Sequence, residues 1–401
     1  MADEVRAQDA NDASQPLTFT AEEAGSTVAM TATGAAPSVT LEYTTNSGQT
    51  WLPFIVGETV VTLSEIGAKV SIRAGAAGNE RISYRYTGYG YGYKTNTFTL
   101  TGRLSASGSV DSLLTQDPVA YAAGVQLPDG CYTRLFYDCT ALKSAPVLLS
   151  TKLGISCYHS MFYGAEITVA PALLANTLAD SCYDHMFANC SSLTEAPSLP
   201  ATTMSPSCYR EMFSYCTFTQ APDLPATTLA ESCYEGMFSY CTSLTQAPDL
   251  PATTLAKSCY HDMFYNCEVL TKSPSLPATT LVDYCYADMF SYCASLTQAP
   301  DLPATTLAPF CYNGMFQGCT SLVKAPLLPA TTLVDYCYRY MFERCTSLNR
   351  LVVGFKAWAD DVSATLDWVT GVPQSGEFHC RRGLPRIYDD SHIPGTAPAS
   401  N

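Results

Sequence analysis

The sequence predicts an α/β solenoid of nine repeats preceded by a small all-β domain. Three observations carry this prediction. A Cys-Tyr pair recurs at Cys131, Cys157, Cys182, Cys208, Cys233, Cys259, Cys285, Cys311 and Cys337, at intervals of 25 or 26 residues. Each pair opens the same order of segments, and a unit this short cannot bury its apolar face alone, so copies must stack. Upstream of Cys131, short alternating apolar and polar runs are separated by turn residues, the pattern of a small sandwich or barrel.

Residues 1–16 are small, polar and acidic and are expected to be a disordered tail. The expected strands are Leu17–Ala21, Thr27–Thr33, Val39–Thr45, Thr50–Ile55, Thr59–Leu63, Lys69–Ala74, Arg81–Thr87 and Thr97–Thr101. They define an immunoglobulin-like β-sandwich over 17–103, with Trp51 and Phe54 in its core. One insertion, Gly88-Tyr-Gly-Tyr-Gly-Tyr-Lys94, places Tyr89, Tyr91 and Tyr93 on one face of a ribbon. It is either a hairpin tip folding back on the sandwich or an aromatic contact loop for sugar or protein. Residues 104–130 read as a linker and N-terminal cap, 131–345 as the repeats, and 346–401 as a C-terminal cap. In that cap Trp358, Val362, Leu366, Trp368 and Val369 have helix-like spacing.

Numbered from its first Cys, each repeat is apolar at positions 1, 2, 5, 6 and 9. At about 100° per residue these fall on one face, which predicts a short amphipathic helix with positions 3, 4, 7 and 8 outward. The Met-Phe pairs (Met237-Phe238, Met263-Phe264) belong to the core. The following Ser-Leu-x-x-Ala-Pro-x-Leu-Pro predicts a short strand in a parallel sheet. Pro222, Pro248, Pro274 and Pro300 each remove a ladder donor, so that sheet should be narrow or bent. The closing Pro-Ala-Thr-Thr-Leu stacks threonine columns whose hydroxyls can bond between copies.

Of the 18 cysteines, nine open the repeats and eight more sit at position 9. Ala165 replaces the ninth of that second set, and Cys380 stands apart. The pattern favours buried free thiols acting as small hydrophobes, over disulfides between stacked columns or zinc, whose ligand spacing differs. A net charge of -15 with only 14% charged residues argues against nucleic acid and anionic membrane surfaces. No apolar run is long enough to insert into a membrane, and the acidic start carries no signal-peptide pattern. Read as written, the chain is expected to be soluble; cell-surface or extracellular display requires a removed leader, and a virion surface requires none.

Motifs for metalloproteases, nucleotide loops and nucleophile elbows are missing, and no cofactor or metal is expected. His159, His185 and His261 fall on outward positions and read as solvated. Asp223, Asp249 and Asp301 share position 17 and form a solvated acidic ridge or a contact for a cation or ligand hydroxyl. Tyr137, Tyr163 and Tyr265 at position 7 are the better candidate ligand contacts, against structural filling. Tyr215, Tyr240 and Tyr292 at position 8 read as packed.

The run Phe-x-x-Cys-x-x-Leu followed by a Pro-bounded stretch, as in Met237-Phe-Ser-Tyr-Cys-Thr-Ser-Leu-Thr-Gln-Ala-Pro-Asp-Leu-Pro251, resembles the BspA-like leucine-rich-repeat surface proteins. It covers residues 131 to about 350. Pro16–Gly25 and Ser38–Trp51 are similar to the β-domain that precedes such repeats in gut Bacteroides and their phages. The resemblance implies a right-handed leucine-rich-repeat coil and a non-enzymatic adhesion or recognition protein. Its partner would be a host glycan or surface protein. The alternative is a phage virion component, such as a fibre or capsid decoration, and a fibre would be a homo-oligomer. The absence of an export signal departs from cell-surface members and favours the virion reading.

Overall fold

The computed structural model describes residues 14–86, 92–359 and 362–394. Tyr89, Tyr91 and nearly all of the expected N-terminal tail lie outside the described residues. The chain divides into two compact units, residues 1–201 and 202–401.

The first unit opens with β1 (Leu17–Ala21), β2 (Ser26–Thr33), β3 (Leu41–Thr44), β4 (Leu52–Phe54), β5 (Val60–Leu63), β6 (Lys69–Ala74), β7 (Tyr84–Tyr86), β8 (Gly92–Thr101) and β9 (Leu104–Ser107). With β10 (Leu142–Ser144) they form sheets ordered β10-β9-β1-β6-β3-β4 and β5-β2-β8-β7. Side chains alternate across the strands, so Leu17, Phe19 and Ala21 are buried with Val70, Ile72 and Ala74. Phe54 is in this core. Trp51 is not: it is half-exposed, with the Arg73 guanidinium 3.8 Å above its ring. Strand β9 lies in the stretch read as a linker, and its pairing with β10 runs the sheet into the first repeat.

The repeats keep the expected burial but not the expected helix. Cys, Tyr, Met, Phe and Cys at positions 1, 2, 5, 6 and 9 are buried throughout, as in Cys233, Tyr234, Met237, Phe238 and Cys241. Yet φ is positive at every fourth residue, as at Ser232 (52°), Gly236 (59°) and Tyr240 (59°), then Ser258 (54°), Asp262 (54°) and Asn266 (56°). No α-helix survives a left-handed residue each turn. Instead the segment is a chain of four-residue turns. N–H groups at odd positions donate three residues back: Glu235 to the Ser232 carbonyl (3.3 Å), Met237 to Tyr234 (3.2 Å), Ser239 to Gly236 (2.9 Å). Those at even positions donate to the next copy: Tyr234 to the Cys259 carbonyl (3.1 Å), Gly236 to His261 (2.8 Å), Phe238 to Met263 (3.0 Å), Tyr240 to Tyr265 (2.7 Å). A four-residue period advances about 90° per residue and a helix about 100°. Over nine residues the two bury the same positions, which is why the pattern reads as helical.

The parallel sheet is narrower still than the prolines imply. Between proline-bearing copies it shrinks to single bridges such as Gln220↔Gln246, Thr228↔Thr254 and Thr280↔Thr306. In the second unit it widens to strands only at β11 (Lys324–Leu328), β12 (Arg350–Val353) and β13 (Glu377–His379), of which β12 and β13 lack proline. The threonine hydroxyls that bond between copies include Thr245 Oγ1, donating to the Thr219 carbonyl, and Thr297 Oγ1, donating to that of Thr271; among the described residues the hydroxyls of the Thr-Thr columns make no such bond.

Rings stack between copies. Tyr234, Tyr260, Tyr286, Tyr312 and Tyr338 form one buried column with centroids 5.7–6.0 Å apart. Phe238, Phe264, Phe290, Phe316 and Phe342 form another at 5.6–5.8 Å. The 17 repeat cysteines are unbridged and buried; Cys380 is exposed. The position-9 thiols of Cys190, Cys241, Cys267, Cys293, Cys319 and Cys345 donate to the position-6 carbonyl of the copy before, as Cys241 Sγ to Phe213 O and Cys267 Sγ to Phe238 O, both 3.1 Å. Burial pushes the Cys241 and Cys293 thiols up to about 12, so they stay protonated and unreactive at neutral pH.

Both ends are closed by imitation of a copy. Phe98 on β8 donates its N–H to the Leu135 carbonyl (2.9 Å), accepts the Cys139 thiol (3.1 Å) and stacks on Phe136 at 5.3 Å. Those are the three contacts a position-6 Phe of a preceding copy would make. Ser83 N–H, donating to the Cys131 carbonyl at 2.8 Å, acts as its position 2. At the other end the tail expected to be helical forms another turn chain. Tyr338, Tyr340, Phe342 and Arg344 donate to the carbonyls of Ala364, Leu366, Trp368 and Thr370, and φ is positive at Asp367 and Gly371. Ala364 thus starts a degenerate further copy, with buried Trp368 in the Met place.

The turn chain makes a prediction opposite in sign to a helix. At Gly318 (φ 71°) an added Cβ would meet Tyr292 Cδ1 at 2.7 Å. Gly318→Ala should lower stability by roughly 1 kcal/mol or more in urea denaturation, whereas in a helix it would raise it by about 1 kcal/mol. A second prediction concerns buried Asp111, which takes hydrogen bonds from Tyr132 Oη (2.8 Å) and Ser150 Oγ (3.4 Å). Burial raises its carboxyl from 3.8 to about 6, against those hydrogen bonds. The folded state therefore holds a proton that the unfolded state releases between about pH 4 and 6, and this group's contribution to stability falls as pH rises through that window. Relative to Asp111→Asn, the wild type should lose on the order of 2–3 kcal/mol between pH 4 and 7. A pH-independent difference between the two denaturation series would refute this.

Candidate functional site

The outer face of the turn chains carries the side chains that differ between copies. Position 3, expected outward, is partly an inner position: Thr133, His159, Asp184 and Ala287 are all buried. The expectation of a solvated His159 is therefore wrong. His159 Nδ1 lies 3.2 Å from Asp184 Oδ2, and His185 Nδ1 lies 2.6 Å from Asp184 Oδ1. Asp184 has no exposed side-chain surface, so both its oxygens are spent on imidazole nitrogens. On the far edge of His159, Nε2 lies 3.2 Å from the Tyr93 hydroxyl and 3.2 Å from Ser160 Oγ.

Tyr93 is the one residue of the Tyr-Gly ribbon's three candidates that is described, and it folds back. It stacks on His159 at 5.7 Å and 11°. The Arg134 guanidinium sits 3.8 Å over Tyr93 and 4.2 Å over Tyr137, a cation held between two rings. Tyr137 stacks on Tyr163 at 4.8 Å. Strand β8 and two adjoining copies thus bring Tyr93, Tyr137 and Tyr163 into one half-exposed aromatic–cation surface in the first unit.

In the second unit Tyr265 joins a different run. Tyr215 and Tyr240 stack at 4.5 Å, and Tyr265 lies 5.4 Å from Tyr240 and 5.6 Å from Tyr292. Desolvation, with Tyr240 and Tyr292 adjacent, pushes the Tyr265 phenol up to about 12, so it remains a neutral donor. The position-8 tyrosines are not simply packed, since Tyr215 is 50% exposed. A further half-exposed run, Tyr284, Phe310 and Tyr336 at 4.4 and 4.5 Å, occupies the residue before each Cys. Helical numbering hid that position; reading the same place down successive copies would have found it.

Asp223, Asp249 and Asp301 are exposed and stand in separate copies. The acidic groups that do converge are elsewhere. His261 Nε2 lies 3.4 Å from Asp262 Oδ2 and 4.0 Å from Asp288 Oδ2, while His261 Nδ1 lies 3.8 Å from Glu235 Oε1. Burial, reinforced by the Asp288 charge, raises Asp262 to about 6 despite His261. Burial also raises Asp288, against His261, Asn313 and Arg339. Burial lowers the His261 imidazole, but Glu235, Asp262 and Asp288 outweigh it and raise it overall. Among the described residues, this triad and His159/Asp184/His185 each place three candidate metal-ligand atoms within 4.8 Å of one another.

Because Asp184 is buried between two imidazoles, Asp184→Ala should cost roughly 3–5 kcal/mol by leaving both rings without their partner. Asp249→Ala, at the exposed ridge, should stay within about 0.5 kcal/mol. Thermal or urea denaturation of the two variants checks the contrast.

Comparison with known proteins bears on the repeats. Six copies of the BspA type Leucine rich repeat region match, over residues 157–297 and 231–356. No curated protein matches the chain, and no solved structure matches it. Among the described residues no helix is long and apolar enough to cross a membrane. The repeat part of the chain is similar to BspA-type leucine-rich repeats, which supports a BspA-like leucine-rich-repeat protein.

Proposed function

We propose that this chain is a surface-displayed, non-enzymatic adhesion or recognition protein whose repeats form a leucine-rich-repeat solenoid that presents an aromatic face to a host glycan or surface protein. The observation that carries the reading is the set of half-exposed ring runs, Tyr137–Tyr163 and Tyr215–Tyr240–Tyr265–Tyr292, on a chain with few charges. Rigid amphipathic tyrosines supply contact area at low entropic cost. Stacking covers one face each of Tyr137, Tyr163, Tyr215 and Tyr240, whereas Tyr265 is tilted 54° from Tyr240 and stands at 68° to Tyr292. Ring hydroxyls and the faces left unstacked suit hydrogen bonding and ring contact with protein or sugar.

The similarity to BspA-type repeats supports the surface role, since such proteins are typically surface-exposed. The acidic ridge of Asp223, Asp249 and Asp301 would add polar contacts at the rim of such an interface. Display from a phage particle would use the same face and differ only in where the protein resides.

A glycan array together with capture from mucin and host-cell surface proteins tests the reading. A specific ligand should bind, and Tyr137→Ala with Tyr163→Ala, or Tyr265→Ala, should weaken it at least tenfold, about 1.4 kcal/mol. Uniform lack of binding at high micromolar protein would refute it. Mass spectrometry of purified particles against outer-membrane fractions separates the two settings.

A further inference from the structure

We propose that His261, Asp262 and Asp288 form a binding site for a divalent first-row transition cation at the surface of the second unit. The three side chains come from two successive copies and converge. Zinc-like ions hold imidazole and carboxylate ligands at about 2.0–2.2 Å, which sets tetrahedral ligand atoms about 3.4 Å apart. His261 Nε2 already lies 3.4 Å from Asp262 Oδ2 and 4.0 Å from Asp288 Oδ2. All three ligand atoms lie within 4.8 Å of one another, so a cation at their centre needs no separation to close by more than about 1.4 Å.

A second observation points to the same place. Asn313 Nδ2 lies 3.3 Å from Asp288 Oδ2, and Asn313 Oδ1 is buried with no hydrogen-bond partner. An orphaned buried acceptor calls for an explanation. With the amide turned over, Oδ1 would take the place of Nδ2, 3.3 Å from Asp288 Oδ2, the separation of two ligands on one cation, and the Nδ2 hydrogen bond to Asp288 would be exchanged for a bond to the cation. Gly314 keeps the space open, because a Cβ there would strike Asp288 Oδ1.

The charges agree. Glu235 lies beside His261, and Glu211 adds to the negative field on Asp262, while Arg339 and Arg210 act on Asp288 and Glu235 from the edge. One imidazole and the edge arginines face four carboxylates. The first unit's His159/Asp184/His185 cluster differs, because there one carboxylate already contacts two imidazoles. The imidazole selects against calcium and magnesium, which take oxygen ligands, and the missing thiolate selects against copper(I). The triad is partly exposed, at 28%, 35% and 23% of side-chain surface, so remaining coordination positions face solvent.

Cobalt(II) titration of the full chain, followed by visible absorption, tests this independently of any glycan or protein ligand. One equivalent should bind, with the visible bands of nitrogen and oxygen coordination and no near-ultraviolet thiolate band. His261→Gln and Asp288→Asn, each checked for wild-type circular dichroism and melting, should each weaken binding at least tenfold. His185→Gln and Cys380→Ser should leave it unchanged. Absence of the bands at millimolar cobalt would overturn the proposal. So would bands unaffected in both His261→Gln and Asp288→Asn, loss in His185→Gln instead, or a thiolate band lost in Cys380→Ser.

Discussion

The division of backbone hydrogen bonds within each turn chain is the constraint on which the rest of the structure depends. Half the N–H groups close a local turn and half reach the next copy, as Met237 to Tyr234 and Phe238 to Met263 show. A helix would satisfy its own backbone and leave neighbouring copies joined by side chains alone. Here, within each unit, the main chain itself joins adjacent copies, so a copy such as Cys233–Lys257 is incomplete without its neighbour. The left-handed residue at every fourth place is what turns alternate amides outward. Its conformational cost, about 1–2 kcal/mol for an ordinary residue, is offset by the bonds it permits.

That constraint explains the uniform core. A fixed register between copies places like on like, so a Tyr column, a Phe column and a Cys row follow. Position 9 needs a group small enough for the interior, which Ala165 and the cysteines both are, and cysteine can also donate to a carbonyl. The thiols serve packing, and most of those at position 9 add one weak hydrogen bond, as Cys267 Sγ to Phe238 O does. The ends obey the same rule. Open carbonyls of the Cys131 copy are met by Ser83, Phe98 and Leu104, and open amides of the Cys337 copy by Ala364, Leu366, Trp368 and Thr370. The β-domain is thus a template for the first copy, where the sequence pointed to the connector as the cap.

Function is left to the side chains that the register does not dictate. Because copies stack closely, a residue at one position meets its counterpart in the next copy, and chemistry accumulates in columns. Two tyrosines become a stack, and one histidine beside carboxylates of two copies becomes a cation-like hole. The same closeness can bury a charge pair, as at Asp184, or leave a cluster half-exposed, as at Asp288.

The sequence by itself determined the period, the five buried positions of the repeat and the strand alternation from Leu17 to Ala74, because burial and periodicity are written in residue type, and it favoured free cysteines over bridged ones. It did not determine the backbone that delivers that burial. Turns of four and a helix of 3.6 residues hide the same five side chains, and only φ distinguishes them. A trace was present in Gly236, Gly314 and Gly318, and in Asn189, Asp262 and Asn266, residue types that tolerate φ > 0. It was masked by Tyr240, Phe310 and Arg344 in equivalent places. The sites were legible only as single residues: Tyr137 and Tyr163 as outward rings, His159 and His261 as decoration. Which of them meet is decided by stacking at one copy's remove. Tertiary structure alone made a buried relay of His159 and Asp184 and a convergent triad of His261, Asp262 and Asp288.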